Sequence, residues 1–336
     1  MVINSKRNTK TMNKSKSWIL LMFCFLLTVS ASGQTRKPVR KSVTRTARVA
    51  KPVKKVTPTS KKTTATTVVP VLEKAVWTGK REVTIPGSVG KLAATLQQNP
   101  EMKQGTKVPL VIIMHGLGSD KDNMLCAALA DSLQESGIAS LRFDFNSHGK
   151  SEGNIVDMDF NNLQADAEKV LNYARKLDFV SNISLAGHSM GGVIASMLAG
   201  REGTNKIKSV VLFAPAVAIQ DDAQRGEFSG FKFDPNNIPA TFEVMGHTMG
   251  GKWLKTAQTL NILETAKGYQ GKLYVIHGTE DQFEPYVTSS LYLRDNPNGK
   301  IVLLKGFDHY FSQDVLLPVS VATKFFKEVL LGHSSK

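Results

Sequence analysis

From about residue 72 onward, apolar positions alternate between two kinds of grouping. Residues 109–114 (PLVIIM) form a continuous apolar run, as strands buried on both faces of a parallel sheet do. Similar runs predict strands over 139–145, 182–186, 208–214, 272–277 and 300–304. Between them, apolar residues recur at helical spacing. A helix is predicted over 122–136, stopped by Gly137, and another over 161–177 with Leu163, Val170, Leu171, Ala174 and Leu177 on one side. Further helices are expected from the 187–192 turn to about Gly200 and over 319–331. Two earlier strands, 81–86 and 91–96, are joined by Gly87-Ser88-Val89-Gly90 and read as a hairpin. Strand and helix in alternation predict an α/β fold, a mostly parallel central sheet flanked by helices. The stretch 215–271 breaks the rhythm with Gly226, Gly230, Pro235, Pro239, Gly246, Gly250 and Gly251 and interspersed aromatics. It reads as a lid insertion at the carboxyl edge of the sheet, where α/β folds bind ligands.

The first seventy residues follow other rules. Basic residues (Lys6 to Lys16) precede a twelve-residue apolar run at 18–29 and the small residues Ser30, Ala31, Ser32 and Gly33. That order is a secretory signal over 1–33, too short for the ~20 residues of a membrane span. A secreted or periplasmic protein is expected; an uncleaved signal serving as membrane anchor is the alternative. Residues 34–70 carry Lys, Arg, Thr, Val and Pro without aromatics, the composition of a disordered linker. This leaves 71–336 as one catalytic domain.

Charge follows the same division. The net charge of +15 comes from 16 Lys and Arg, with no Asp or Glu, in residues 1–70. The remaining chain has 27 basic against 28 acidic residues and gives no electrostatic reason to bind nucleic acid. The basic linker could touch anionic envelope polymers weakly. Removal of Cys24 with the signal leaves only Cys126, in an apolar helical stretch, where it reads as a small buried hydrophobe. No Cys/His spacing suggests a metal, and no organic cofactor is called for. Oligomeric state is left open, a dimer included.

Candidate chemistry collects at four strand ends. In 184–192, SLAGHSMGG, Ser189 stands between Gly187 and Gly191, between a strand and a helix. A serine nucleophile needs a base beside it and little bulk around a sharp turn. Strand 109–114 ends in His115-Gly116-Leu117-Gly118, where the backbone N–H of Leu117, with that of Met190, would form an oxyanion hole. Strand 272–277 runs into His277-Gly278-Thr279-Glu280-Asp281, and strand 300–304 into Asp308-His309. The order Ser189, Asp281, His309 is nucleophile, acid, histidine; Glu280 and Glu284 are rival carboxylates. His115 and His148 read as loop-organising residues, His188 as pointing into the scaffold, and His277 as a strand end. His247 lies in the insertion.

HGLGSD, LRFDFNSHGKSEG, LAGHSMGG, VIHGTEDQFEPY and the 308–309 pair make the region from about 80 to 332 resemble the α/β-hydrolase superfamily. YARKLDFV, FKFDPNNIP and AQT narrow this to a resemblance with bacterial feruloyl (cinnamoyl) esterases. The resemblance implies a lid inserted before the strand bearing the acid. It puts Ser189, Asp281 and His309 on the triad and Leu117 and Met190 on the oxyanion hole. Met190 replaces a Gln frequent in the family, which leaves the backbone donor in place. An aromatic residue is expected on the lid, and Trp253 falls near it. The implied activity is a serine esterase cleaving hydroxycinnamate esters of plant polysaccharide. Phe231, Phe233 and Trp253 are expected to bind the phenyl ring. A general short-chain carboxylesterase or a serine peptidase is the alternative within the fold; a non-catalytic envelope-binding protein is the alternative outside it.

Overall fold

The computed structural model describes residues 1–3 and 79–332. The linker expected over 34–70, and all but three residues of the expected signal, lie outside the described residues.

The elements are β1 (Val2–Ile3), β2 (Lys80–Pro86), β3 (Lys91–Gln97), β4 (Val108–Met114), α1 (Met124–Glu135), β5 (Ala139–Phe143), α2 (Phe160–Ala174), β6 (Val180–His188), α3 (Met190–Glu202) and β7 (Ser209–Phe213). After β7 come α4 (Ile219–Arg225), β8 (Glu227–Phe228), β9 (Phe231–Lys232), β10 (Thr241–Val244), β11 (His247–Gly250), α5 (Gly251–Ala257) and α6 (Ile262–Ala266). The chain then returns to the main sheet with β12 (Lys272–Gly278), passes through α7 (Leu291–Arg294) to β13 (Gly299–Leu304), and ends in α8 (Leu316–Leu331).

Among the described residues nine strands form the main sheet, in the order β1-β13-β12-β7-β6-β4-β5-β3-β2. Pairings from β1 through to β5 are parallel, and only β5–β3 and β3–β2 are antiparallel. The fold class read from the pattern is therefore the one observed. The apolar run of β4 shows why. Leu110, Ile112 and Met114 belong to one core with α2 and α3; Val111 and Ile113 belong to a second core with α1 and α8. Alternate side chains of one strand enter opposite layers, so every position must be apolar.

Element ends differ from the expected ones where local chemistry decides. The second helix starts at Phe160 because Asp159 closes a capping box: its carboxylate accepts from Asn162 N–H at 2.9 Å, and Asn162 Oδ1 accepts from Asp159 N–H at 3.2 Å. The last helix starts at Leu316 and not after Pro318, since proline is tolerated in a first turn.

The 215–271 segment is built of short helices and two hairpins, joined to the main sheet at the carboxyl end of β7. Phe228, Phe242, Trp253 and Leu254 are buried within the same core as α2 and α3. The segment is thus packed into the domain through its aromatic residues.

Candidate active site

The turn at Ser189 carries backbone strain. Its φ of 52° and ψ of −119° lie outside the regions L-residues favour, and it joins β6 directly to α3. The glycines on either side make the turn sterically feasible. A Cβ on Gly187 would come within 2.2 Å of Gly191 O, and one on Gly191 within 2.4 Å of the His115 and Met114 carbonyl oxygens. Ser189 N–H is spent on Phe213 O at 2.9 Å. Met190 opens α3, so its N–H is a first-turn donor without an intrahelical acceptor. Leu117 N–H finds no acceptor among the described residues. Both residues, with Ser189, line one cavity of about 750 Å³.

The acid and the base come from neighbouring parallel strands, β12 and β13. The loops after them are tied together: Thr279 N–H donates to Leu304 O at 3.0 Å and Glu280 N–H to Phe307 O at 2.9 Å. Gly278 is required for this approach, because a Cβ there would stand 2.1 Å from Phe307 O. Asp281 Oδ2 then meets His309 Nδ1 at 2.6 Å. With Nδ1 engaged, the ring nitrogen left for Ser189 is Nε2, on a side chain that lines the same cavity. The structure thus brings Ser189, Asp281 and His309 to one site, as the order of the motifs led us to expect.

Asp281 is a buried carboxylate held by four donors. Besides His309, His277 Nε2 lies 2.8 Å from Oδ2, and the N–H groups of Phe283 and Glu284 donate to Oδ1 at 2.9 Å each. Burial alone would push its protonation upward, but the bonds from His277 and His309 outweigh burial and hold the group well below the usual carboxylate range. The rivals are placed elsewhere. Glu280 has no bond to His309, and Glu284 accepts from Ala218 N–H and Thr288 Oγ1 at 3.0 and 2.7 Å. Burial pushes the Glu284 carboxyl up to about 7.

The other histidines organise the walls. His115 is fully buried; it accepts from Phe145 N–H at 3.1 Å through Nε2 and donates from Nδ1 to Gly116 O. His148 accepts from Gly118 N–H at 3.1 Å. His188 both borders the cavity and bonds His309 O through Nε2 at 2.9 Å. Burial, aided by neighbouring histidines, lowers His115 and His188 to about 3, so both are neutral imidazoles at ordinary pH. Cys126 is buried, and burial pushes its thiol up to about 12, as befits a packing residue. His247 lines a smaller recess of about 80 Å³ next to the main cavity.

Substrate-side expectations need correction. Trp253 does line the cavity, fully buried, with its ring against Phe160 at 4.2 Å and Phe228 at 5.8 Å. Phe231 and Phe233 do not line it. They stack on each other at 5.9 Å, and Phe231 stacks on Phe242 at 5.1 Å. The residue from that hairpin that reaches the cavity is Phe228, paired across the Ser229-Gly230 turn with Phe231. Phe283 and Tyr310, from the acid and base loops, complete the aromatic wall. Among the described residues no group of three or more His, Cys, Asp or Glu side chains is placed to share a metal ion.

Comparison with known proteins decides the family. In a structure of Est1E from Butyrivibrio proteoclasticus with ferulic acid bound, the fold superposes with a TM-score of 0.71 and 32% identity, over 74% of this chain and 98% of that one. This chain belongs to the α/β-hydrolase superfamily. Residues 105–233 of this α/β-hydrolase also match the family described as "Hydrolase_4: Serine aminopeptidase, S33". Shorter likenesses are to a putative esterase/lipase of Haemophilus influenzae (38% identical over 95 residues, 28% of this chain) and to a multifunctional-autoprocessing repeats-in-toxin protein of Vibrio vulnificus (31% over 137 residues, 38% of this chain). The α/β-hydrolase spans 30% of the first protein's length and 2% of the second's.

Proposed function

We propose that this α/β-hydrolase is a secreted serine carboxylesterase that releases ferulate or related hydroxycinnamates from plant polysaccharide esters. The observation that carries the reading is the meeting of Ser189 and His309 on a cavity of about 750 Å³ walled by Phe228, Trp253 and Phe283. Aromatic side chains favour a planar aromatic acyl group through offset or edge contacts. The likeness to Est1E, whose structure holds ferulic acid, supports the same acyl class.

The chemistry follows from the geometry. Ser189 Oγ attacks the ester carbonyl carbon as His309 Nε2 takes its proton, and Asp281 stabilises the imidazolium through Nδ1–H. The N–H groups of Leu117 and Met190 receive the oxyanion. Collapse breaks the C–O bond to the alcohol, which leaves with the proton from His309. A water then gives a proton to His309 and adds to the acyl carbon, and Ser189 departs with that proton as the free acid forms.

A second reading within the fold, a peptidase or aminoacyl hydrolase, is favoured by one observation. Among the described residues the cavity is lined by Asp222, Glu227 and Glu284 and by no Lys or Arg, a lining that would suit an amine-bearing substrate. A panel of methyl ferulate, a p-nitrophenyl acetyl ester and an aminoacyl amide separates the readings. The esterase reading expects the highest kcat/KM on methyl ferulate; the highest value on the amide would select the peptidase.

A further inference from the structure

His277 was legible only as the end of a strand, yet its ring is wholly buried and engaged at both nitrogens. Ser289 Oγ stands 2.7 Å from Nδ1, and Asp281 Oδ2 stands 2.8 Å from Nε2. A carboxylate can only accept, so the hydrogen between His277 and Asp281 belongs to Nε2. Nδ1 of the neutral ring is then an acceptor, and the Ser289 hydroxyl donates to it. The tautomer of His277 is therefore set by Asp281, and Ser289 answers it with a donor on the other side of the ring. The same carboxylate oxygen also takes the hydrogen of His309 Nδ1 at 2.6 Å. Two imidazoles, from β12 and from the loop after β13, thus divide one oxygen.

We propose that His277 is a positioning residue of this site: it holds Asp281 Oδ2 on His309 and, by donating to the same oxygen, moderates how strongly Asp281 acts on that imidazole. This inference rests on the serine-hydrolase reading above and adds a fourth and fifth member, His277 and Ser289, to the line Ser189–His309–Asp281.

The physical consequence has a definite sign. A donor on Oδ2 draws electron density away from the Asp281–His309 bond, and the carboxylate then stabilises the His309 imidazolium less. Without that donor, His309 should hold its proton to higher pH. Other titratable groups surround the pair. The rings of His188 and Tyr310 stand 4.9 and 5.2 Å from that of His309. Glu284 gives its backbone N–H to Asp281 Oδ1, and its carboxyl is turned to Ala218 and Thr288. Asp308 turns its carboxylate to Ser312 and to the Tyr310 N–H. Among the described residues only the two imidazoles bond Asp281 Oδ2.

The test compares His277→Leu, which lacks a donor, with His277→Gln, whose amide N–H has nearly the reach of Nε2. Titration of His309 is followed through its Cε1–H NMR signal, assigned by its loss in His309→Gln, and through the acid limb of kcat/KM. In His277→Leu both should move upward by on the order of half a pH unit, with kcat reduced roughly tenfold; His277→Gln should titrate as the wild type. A titration unmoved in His277→Leu, or moved equally in both variants, would overturn the proposal. Should His277→Leu fail to fold, Ser289→Ala decides: it removes the bond that holds the His277 ring against Asp281 Oδ2 and should move the titration in the same direction by less, and no movement there counts against the proposal. The NMR titration needs no substrate, so an error in the proposed substrate class and an error in the role of His277 give different results.

Discussion

His188 Nε2 stands 2.9 Å from the carbonyl oxygen of His309, so the residue immediately before Ser189 holds the backbone of the residue that would activate it. Burial keeps the His188 ring neutral at ordinary pH, and because the His309 carbonyl can only accept, the hydrogen stands on Nε2. Replacing it with Phe removes the donor and retains most of the ring volume. We expect kcat on a small ester to fall about tenfold with little change in KM, since a misplaced base costs rate more than binding. His188→Gln, whose amide can donate, should recover part of the loss. Steady-state kinetics with thermal melting separates this from simple unfolding.

Acid should destabilise the protein earlier than carboxylate protonation alone would require. His115 and His188 are lowered to about 3 in the fold and return to about 6.5 in the unfolded chain. Between those values the unfolded chain takes up protons that the fold refuses. Their contribution to stability is therefore complete above about pH 6.5 and is lost as pH falls toward 3, at up to about 1.4 kcal/mol per pH unit for each ring. Urea unfolding at a series of pH values should show this slope, and His115→Gln should reduce it. A flat profile from pH 7 to 4.5 would contradict the account.

Glu284 shifts in the opposite sense. Its carboxyl is raised to about 7 by burial, and in the unfolded chain it returns to about 4.3. The fold is favoured by the protonated form, so the contribution is full at low pH and lost as pH rises through about 7. Glu284→Gln should gain stability relative to wild type from pH 5 to 8, measured by melting temperature across that range. A difference between Glu284→Gln and wild type that is the same at pH 5 and at pH 8 would rule out the shift.

The aromatic wall makes a comparison within one hairpin informative. Phe228 lines the cavity, whereas its cross-strand partner Phe231 packs on Phe233 and Phe242. Phe228→Ala should lower kcat/KM on methyl ferulate about tenfold more than on an acetyl ester, worth about 1.4 kcal/mol of aromatic contact. Phe231→Ala should change both substrates alike.

That hairpin marks where the sequence stopped being informative. In two-residue ladders at positions 227–228 and 231–232 the pattern offers too few alternations to say which side chain turns inward. Phe231 and Phe233 were the expected residues, and it is Phe228 that the structure turns to the cavity. By contrast, β4 was legible because six successive buried positions must all be apolar once two layers pack on it. The turn at Ser189 was legible because Gly187 and Gly191 have no room for a Cβ. Asp281 and His309 were legible through the order of strand ends. His277 was not: a histidine closing a buried strand looks the same in sequence whether it packs or donates, and only the 2.8 Å approach to Asp281 distinguishes them. The first helical turns were misjudged where side-chain caps, such as Asp159 on Asn162, set the boundary.

The central claim is that Ser189, activated by His309, is the nucleophile. Intact-mass analysis after incubation with a fluorophosphonate tests it most directly. The account predicts a single adduct, located on Ser189 by peptide mapping, absent in Ser189→Ala and slowed by at least about 10³-fold in His309→Ala. No adduct on the folded wild-type chain, or an adduct that persists in Ser189→Ala, would contradict it.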